Sequence, residues 1–293
     1  MTGAGAPYAP FMEARTAKPP GLSPLDPEAW IACDADYAAQ MAERDRLLTE
    51  RPEETTAETP DAGPALAEFR ERLLAHLSRR AGWRVGPETA RRPDGAEVPR
   101  ALGTLALAGR LCQEDVLLMA PATPEYRLIA GVLCFPSRWT LSEKIGRGLT
   151  RIHAPVPDYA QSLARRVNRV FEAIAPERPL MRVNWLVHAT DRLDLPQREG
   201  EKAAAIDAAR GWFLRTERQT LLRLPRTRVV AFGVKTTVTP VEALTEAQRG
   251  ALGRALADWE AGEIAYRGGT DAWLKARAAV EGAGTPSRVT PAS

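Results

Sequence analysis

Cysteine is scarce in this 293-residue chain: Cys33, Cys112 and Cys134 are its only thiols, and they lie far apart. An odd, dispersed set excludes a disulfide framework and an iron–sulfur cluster held by this chain alone; it fits a reducing, cytoplasmic compartment. No apolar run reaches the roughly 18 residues that cross a bilayer. The Gly-, Ala- and Pro-rich start at residues 3–10 lacks the charged-then-apolar order of a secretory signal, so neither a membrane nor export is expected. No sign of charge dominates: 40 basic against 37 acidic side chains leave +3. That balance argues against a nucleic-acid partner, which calls for basic charge concentrated on one face. What remains is an ordinary globular composition, 44% hydrophobic and 26% charged, expected to form one large domain with extensions.

Punctuation and periodicity divide the chain. Residues 1 to about 30 read as an arm with single anchors at Tyr8, Phe11 and Trp30. A short helix is expected over Tyr37–Glu50, and a mobile loop over Arg51–Asp61. An amphipathic helix over Pro64–Ala81 carries Leu66, Phe69, Leu73, Leu74 and Leu77 at helical spacing. Residues 84–100 read as connection, and from about residue 103 the pattern becomes strand-like. Gln113–Met119 and Arg127–Phe135 are predicted strands. A helix is expected over Asp158–Ala175, then a strand at Met181–Ala189 and a short polar helix at Glu199–Arg210. Phe213–Leu224 fits a helix or a strand, and strand is favoured; Val229–Val238 is a β-branched central strand. Thr245-Glu-Ala-Gln248 caps a closing helix. Two strands, a helical block and three strands make an α+β fold with a largely antiparallel sheet. Helices laid over one face of such a sheet leave a pocket suited to a planar apolar ligand. The expected division is an N-terminal arm and helices over 1–100, a core over 101–240, a helical extension over 241–282 and a disordered tail over 283–293.

The chain is organised around the stretch from Leu133 to Pro157. Thr140-Leu-Ser-Glu143 has the spacing of a capping box, Gly146 and Gly148 shorten or bend the helix it starts, and Pro155 and Pro157 push Ala154 and Val156 out of the helical region. His153 therefore sits where one short helix has ended and the next has not begun.

Six blocks resemble a known family: Leu133-Cys-Phe-Pro-Ser-Arg-Trp139, Glu143-Lys-Ile-Gly146, Ile152-His-Ala-Pro-Val-Pro157, Arg182-Val-Asn-Trp185, Leu214-Arg-Thr-Glu-Arg-Gln-Thr-Leu221 and Leu224-Pro225. Together they are similar to the haem-binding α subunit of the haem-dependent oxidative N-demethylases. The resemblance implies a PAS-like five-stranded antiparallel sheet with helices on one face, holding haem b. It implies oxidation of dimethylamine by O2 with release of formaldehyde. It also implies partners: a flavin/iron–sulfur reductase subunit and a folate-dependent component. Under it, His153, the only histidine in the helical block, is the metal ligand.

Arg138, Lys144 and Arg151 (with Arg147 nearby) are expected partners for propionates, and Trp139 and Trp185 packing residues near the macrocycle. In the polar middle of Phe213–Leu224, Arg215, Glu217 and Gln219 share one face and Arg218 the other. Burying such charges unpaired is costly, so they are expected to be paired or ligand-facing. Glu217 is the candidate anchor for a cationic amine; Arg182, Asn184 or Arg218 is the candidate to polarise bound oxygen. Against these stand plainer readings. His153 taken alone is a loop residue before Pro-x-Pro, His76 a core-rim histidine, His188 an alternative ligand or distal group and Cys134 an inert buried thiol. A gas sensor and a non-catalytic interaction subunit are the alternative functions.

Overall fold

The fold is given by a computed structural model, which describes residues 9–13, 21–154, 164–201 and 211–282. Chain order begins with strand β1 (Ser23–Pro24), helix α1 (Tyr37–Glu50), the single turn α2 (Pro52–Thr55), β2 (Thr56–Glu58) and helix α3 (Gly63–Leu77). Three short strands, β3 (Arg84–Val85), β4 (Thr89–Arg91) and β5 (Glu97–Pro99), form a separate small sheet. Helix α4 (Thr104–Leu111) leads into β6 (Asp115–Ala120) and β7 (Arg127–Val132). The helical block comes next as α5 (Leu141–Lys144), α6 (Leu149–Ile152) and α7 (Ala164–Ala173). Long strands β8 (Leu180–His188), β9 (Phe213–Arg223) and β10 (Val230–Pro240) precede the closing helices α8 (Glu246–Ala257), α9 (Ala261–Tyr266) and α10 (Gly269–Gly282).

The main sheet is antiparallel with the order β1-β8-β9-β10-β6-β7-β2. The expectation of five strands is thus corrected to seven. The additions are edge strands of two and three residues, β1 from the N-terminal arm and β2 from the predicted loop. Both are too short for sequence periodicity to show, and both give partners to edge N–H and C=O groups that would otherwise face solvent.

Alternation along the strands assigns the two faces. Leu222, Ala231, Leu118 and Val116 join the cluster built from α1, α3 and α4, with Leu73, Leu77, Leu107 and Leu111 at most 1% exposed. Burying each such leucine is worth roughly 1.5–3 kcal/mol. On the same face Trp185, Val187 and Leu214 pack under α8 and α10. The other face, with Leu221, Val230 and Met119, lies under α5, α6 and α7 through Leu141, Leu149 and Phe171. Helices therefore cover both faces rather than one, because the central strands are apolar on both sides.

Other expectations change locally. Residues 51–61 form a turn and an edge strand, 84–100 a small sheet and 104–111 a helix. The helices expected at Tyr37–Glu50 and from Thr245 are present; the Thr245 hydroxyl and Gln248 side chain make a reciprocal capping box. At Thr140 no such box forms: its hydroxyl donates to the Glu143 carboxylate at 2.5 Å, and Glu143 accepts the Glu199 N–H at 3.0 Å. The predicted segments 158–163 and 202–210, and the tail 283–293, lie outside the described residues.

One buried ion pair joins these layers. Arg44 of α1 bonds Asp115 at 2.7 Å and the carbonyls of Gly109, Gln113 and Glu114, and both side chains are at most 1% exposed. Asp115 also accepts the N–H groups of Cys134 (2.7 Å) and Phe135 (2.9 Å), which turns the chain out of β7. Substitution of Asp115 by Ala leaves a buried guanidinium without its counter-charge and should cost about 3–5 kcal/mol, measured as a lower urea midpoint with an unchanged slope.

Candidate functional site

His153 is placed by a sequence of one-turn elements. Gly146 has φ +75°, the left-handed conformation that ends α5 cheaply, and its N–H returns to the Leu128 carbonyl at 2.8 Å. The Glu125 carboxylate accepts the Thr150 N–H (2.8 Å) and hydroxyl (2.6 Å), satisfying the exposed start of α6. A Cβ at position 148 would run into that carboxylate and displace it, so glycine permits the close approach. Leu149 buries against Tyr126 and Leu141, and His153 is the residue that ends α6. Its Nδ1 lies 2.9 Å from the Leu149 carbonyl, which makes Nδ1 the protonated nitrogen and leaves the lone pair on Nε2. Burial holds the imidazole below the usual histidine range, and the positive charges of Arg182 and Lys144 push the same way. A neutral ring with its lone pair on Nε2 is the form that ligates a metal.

The sheet face beneath the helical block carries a polar patch. Register pairs Arg182 with Gln219 and Asn184 with Glu217, so these four, with Arg215, project from the same side of β8 and β9. Glu217 accepts from the Gln219 amide (3.1 Å) and the Asn184 amide (3.4 Å), and its other oxygen is 3.5 Å from Arg215 Nε. Arg215 is only 2% exposed and donates to the carbonyls of Leu193 (2.9 Å) and Phe135 (2.8 Å). Arg182 differs: its Nε is buried without a partner, and it makes no hydrogen bond with a described residue. Desolvation lowers its pKa, with the Glu217 charge opposing. Around the patch Leu117, Leu186, Phe232 and Val234 are half-buried, an apolar floor that no described helix fully covers.

The remaining expected residues divide. Lys144 and Arg151 come together on one carboxylate, Glu199, with Arg151 bidentate at 2.9 and 2.7 Å. Arg138 donates to the Arg267 carbonyl at 3.3 Å, and Trp139 packs with the cluster under the helical block. Arg147 is exposed. Trp185 lies on the opposite face, edge-on to Phe11 at 5.4 Å and beside Trp259. Arg218 is on that face too, bonded to the carbonyls of Ala29 and Trp30 and 3.8 Å from Glu114. Neither shares the face of Arg182 and Glu217. The parity of the strand places them there.

His188 ends β8, six residues beyond Arg182 or roughly 20 Å along the strand. Burial pulls its pKa down to about 3, helped by Arg138, Arg215 and Arg267. His76 packs edge-on against Trp30 in the core. Cys134 is 1% exposed, its thiol pushed up to about 12 by burial. No group of three or more metal-ligating side chains occurs among the described residues.

Sequence reading missed a strap over residues 189–201. Leu195 pairs with Ser137 in a parallel bridge, Asp194 bonds Arg51 at 2.5 Å, and Arg215 holds the Leu193 carbonyl. Glu199 then clamps α5 to α6. Nothing in the sequence marks this glutamate, since its partners are 48 and 55 residues away.

The donor set fits haem: a neutral imidazole, an apolar floor, and a half-buried guanidinium whose Nε makes no hydrogen bond with a described residue. A family model described as haem-dependent oxidative N-demethylase, alpha subunit-like, matches residues 21–276. No described helix is long and apolar enough to cross a membrane.

Hydrogen bonds from Arg151 and Lys144 depress the Glu199 pKa from 4.5 to about 2. A depressed carboxylate stabilises fully above its unfolded pKa and loses that contribution as the pH falls through the folded one. The unfolding midpoint should therefore drop between about pH 4.5 and about pH 2, and Glu199→Gln should flatten that part of a thermal-melt profile.

Proposed function

The chain belongs to the haem-dependent oxidative N-demethylase, alpha subunit-like family, and on that premise we propose that it is the haem b-binding subunit of an enzyme that demethylates a small, dimethylamine-like amine with O2. The observation that carries the reading is the neutral His153 imidazole, tied at Nδ1 to its own helix and set near Arg182 of the facing sheet. The order β8-β9-β10-β6-β7 of the five central strands supports the PAS-like assignment.

Bound haem supplies a redox-active iron at which dioxygen is reduced by two electrons from a partner. The overall change is R–NH–CH3 + O2 + 2e⁻ + 2H⁺ → R–NH2 + HCHO + H2O. His153 Nε2 would ligate the haem iron in this reading, with the Leu149 carbonyl fixing the ring's orientation. Glu217 accepts N–H from the amine, held in place by the Asn184 and Gln219 amides. Leu117, Leu186, Phe232 and Val234 keep the reacting methyl in apolar surroundings. Lys144, Arg151 and Arg138 are the cations that would pair with the haem propionates. The description of the family as an alpha subunit implies other subunits; a flavin/iron–sulfur reductase and a folate-dependent component that takes up formaldehyde are the proposed ones.

Purified protein should be red with a Soret band, and His153→Ala should abolish or shift that band. Protein that stays colourless after haem supplementation would sink the reading. Glu217→Gln should keep the Soret band while kcat/KM for the amine falls about 10- to 100-fold, the effect of losing one charge-assisted hydrogen bond worth about 1.5–3 kcal/mol. Formaldehyde release with a supplied reductant is the assay.

A further inference from the structure

Glu217 and Arg182 lie on adjacent strands, on one face, offset diagonally by one register pair. Diagonal neighbours across an antiparallel pair are about 7–8 Å apart at the backbone, close enough for these two long side chains to meet. No ion pair forms between them: Glu217 is held by Arg215, Gln219 and Asn184, and Arg182 has no hydrogen-bonding partner among the described residues. Arg215 is committed through its terminal nitrogens to the carbonyls of Leu193 and Phe135, with its Nε 3.5 Å from Glu217, whereas no guanidinium nitrogen of Arg182 bonds a described residue. Leaving a buried donor unmatched costs about 1–3 kcal/mol, more for a charged group, so a ligand that answers it gains that much.

Charge balance points the same way. Arg182, Arg215 and Glu217 sum to one net positive charge on this face. A bare ammonium entering it meets one favourable carboxylate and a guanidinium of like charge beside it. A zwitterion meets both groups with the matching sign. Arginine is also the side chain whose planar donors fit a carboxylate with two parallel hydrogen bonds.

Resting on the proposed N-demethylase reading, we propose that the substrate class is N-methylated amino acids: the amine engages Glu217 and the carboxylate engages Arg182. An N-methyl α-amino acid holds these charges one carbon apart, short enough to lie between the two side chains with its N-methyl group over the apolar floor of Leu117, Phe232 and Val234. A simple dialkylamine leaves Arg182 unmatched.

The test is equilibrium binding to the ferric holoprotein, followed by Soret difference spectra and by calorimetry. N-methylglycine and N,N-dimethylglycine should bind at least about 10-fold more tightly than dimethylamine. Arg182→Gln should erase that preference, weakening the amino acids about 10- to 100-fold while dimethylamine binds no more weakly than before; Arg182→Lys should restore part of it. Glu217→Gln should weaken all three ligands. Equal binding of amino acids and dimethylamine to the wild-type protein overturns the proposal, as does an Arg182→Gln protein that keeps the preference. The carboxylate could instead be the cofactor's own. Reconstitution with haem dimethyl ester separates the two: if Arg182→Gln speeds loss of haem but not of its ester, and leaves amino acid binding unchanged, Arg182 serves a propionate and the substrate assignment falls. Failure to bind haem at all overturns the enzyme reading itself, and is told apart by the missing Soret band.

Discussion

The fold and the site meet at the carboxylate of Asp115. It neutralises a guanidinium driven into the core from α1 and takes the N–H groups of Cys134 and Phe135 as the chain leaves β7. The Phe135 carbonyl then receives Arg215, whose Nε faces Glu217. A continuous line of charges and peptide groups therefore runs from the N-terminal helices, through the sheet, to the glutamate beside the proposed amine. Every member is fixed by at least two partners, which is the condition under which a buried charge is tolerated. The N-terminal hundred residues thus take part in placing a group on the opposite face.

The site contrasts groups that are satisfied with one that is not. His153, Lys144, Arg151, Arg215 and Glu217 are each held by named partners. Such restraint fixes the direction of a lone pair or an acceptor before any ligand arrives, so little ordering remains to be done on binding. Arg182 differs on the sheet side: none of its guanidinium nitrogens bonds a described residue, whereas Arg215 is anchored through its terminal nitrogens.

Much of this was legible from the chain. The α1 boundaries, the three long strands and the capping box at Thr245 follow from periodicity and punctuation. Parity along β9 separated Glu217 and Gln219 from Arg218, as found. The blocks around His153 and Arg182 carried the family. What escaped was short or distant. Strands of two or three residues give no period to detect, and α4, eight residues long, reads as strand because its apolar run is nearly continuous. Trp185 alternates with Asn184 on β8, so it belongs to the opposite layer; its aromatic character drew it to the ligand, its parity to the core. Glu199 meets its partners only after the strap folds back, and no local pattern announces that.

The one-turn length of α6 has its own consequence. Four residues make too few internal bonds to hold a helix in water, so this turn exists only because Glu125, Gly148 and the Glu199 clamp impose it. The orientation of His153 is thus a property of the assembled sheet and strap rather than of its own segment: a peptide spanning the turn alone would leave the imidazole undirected.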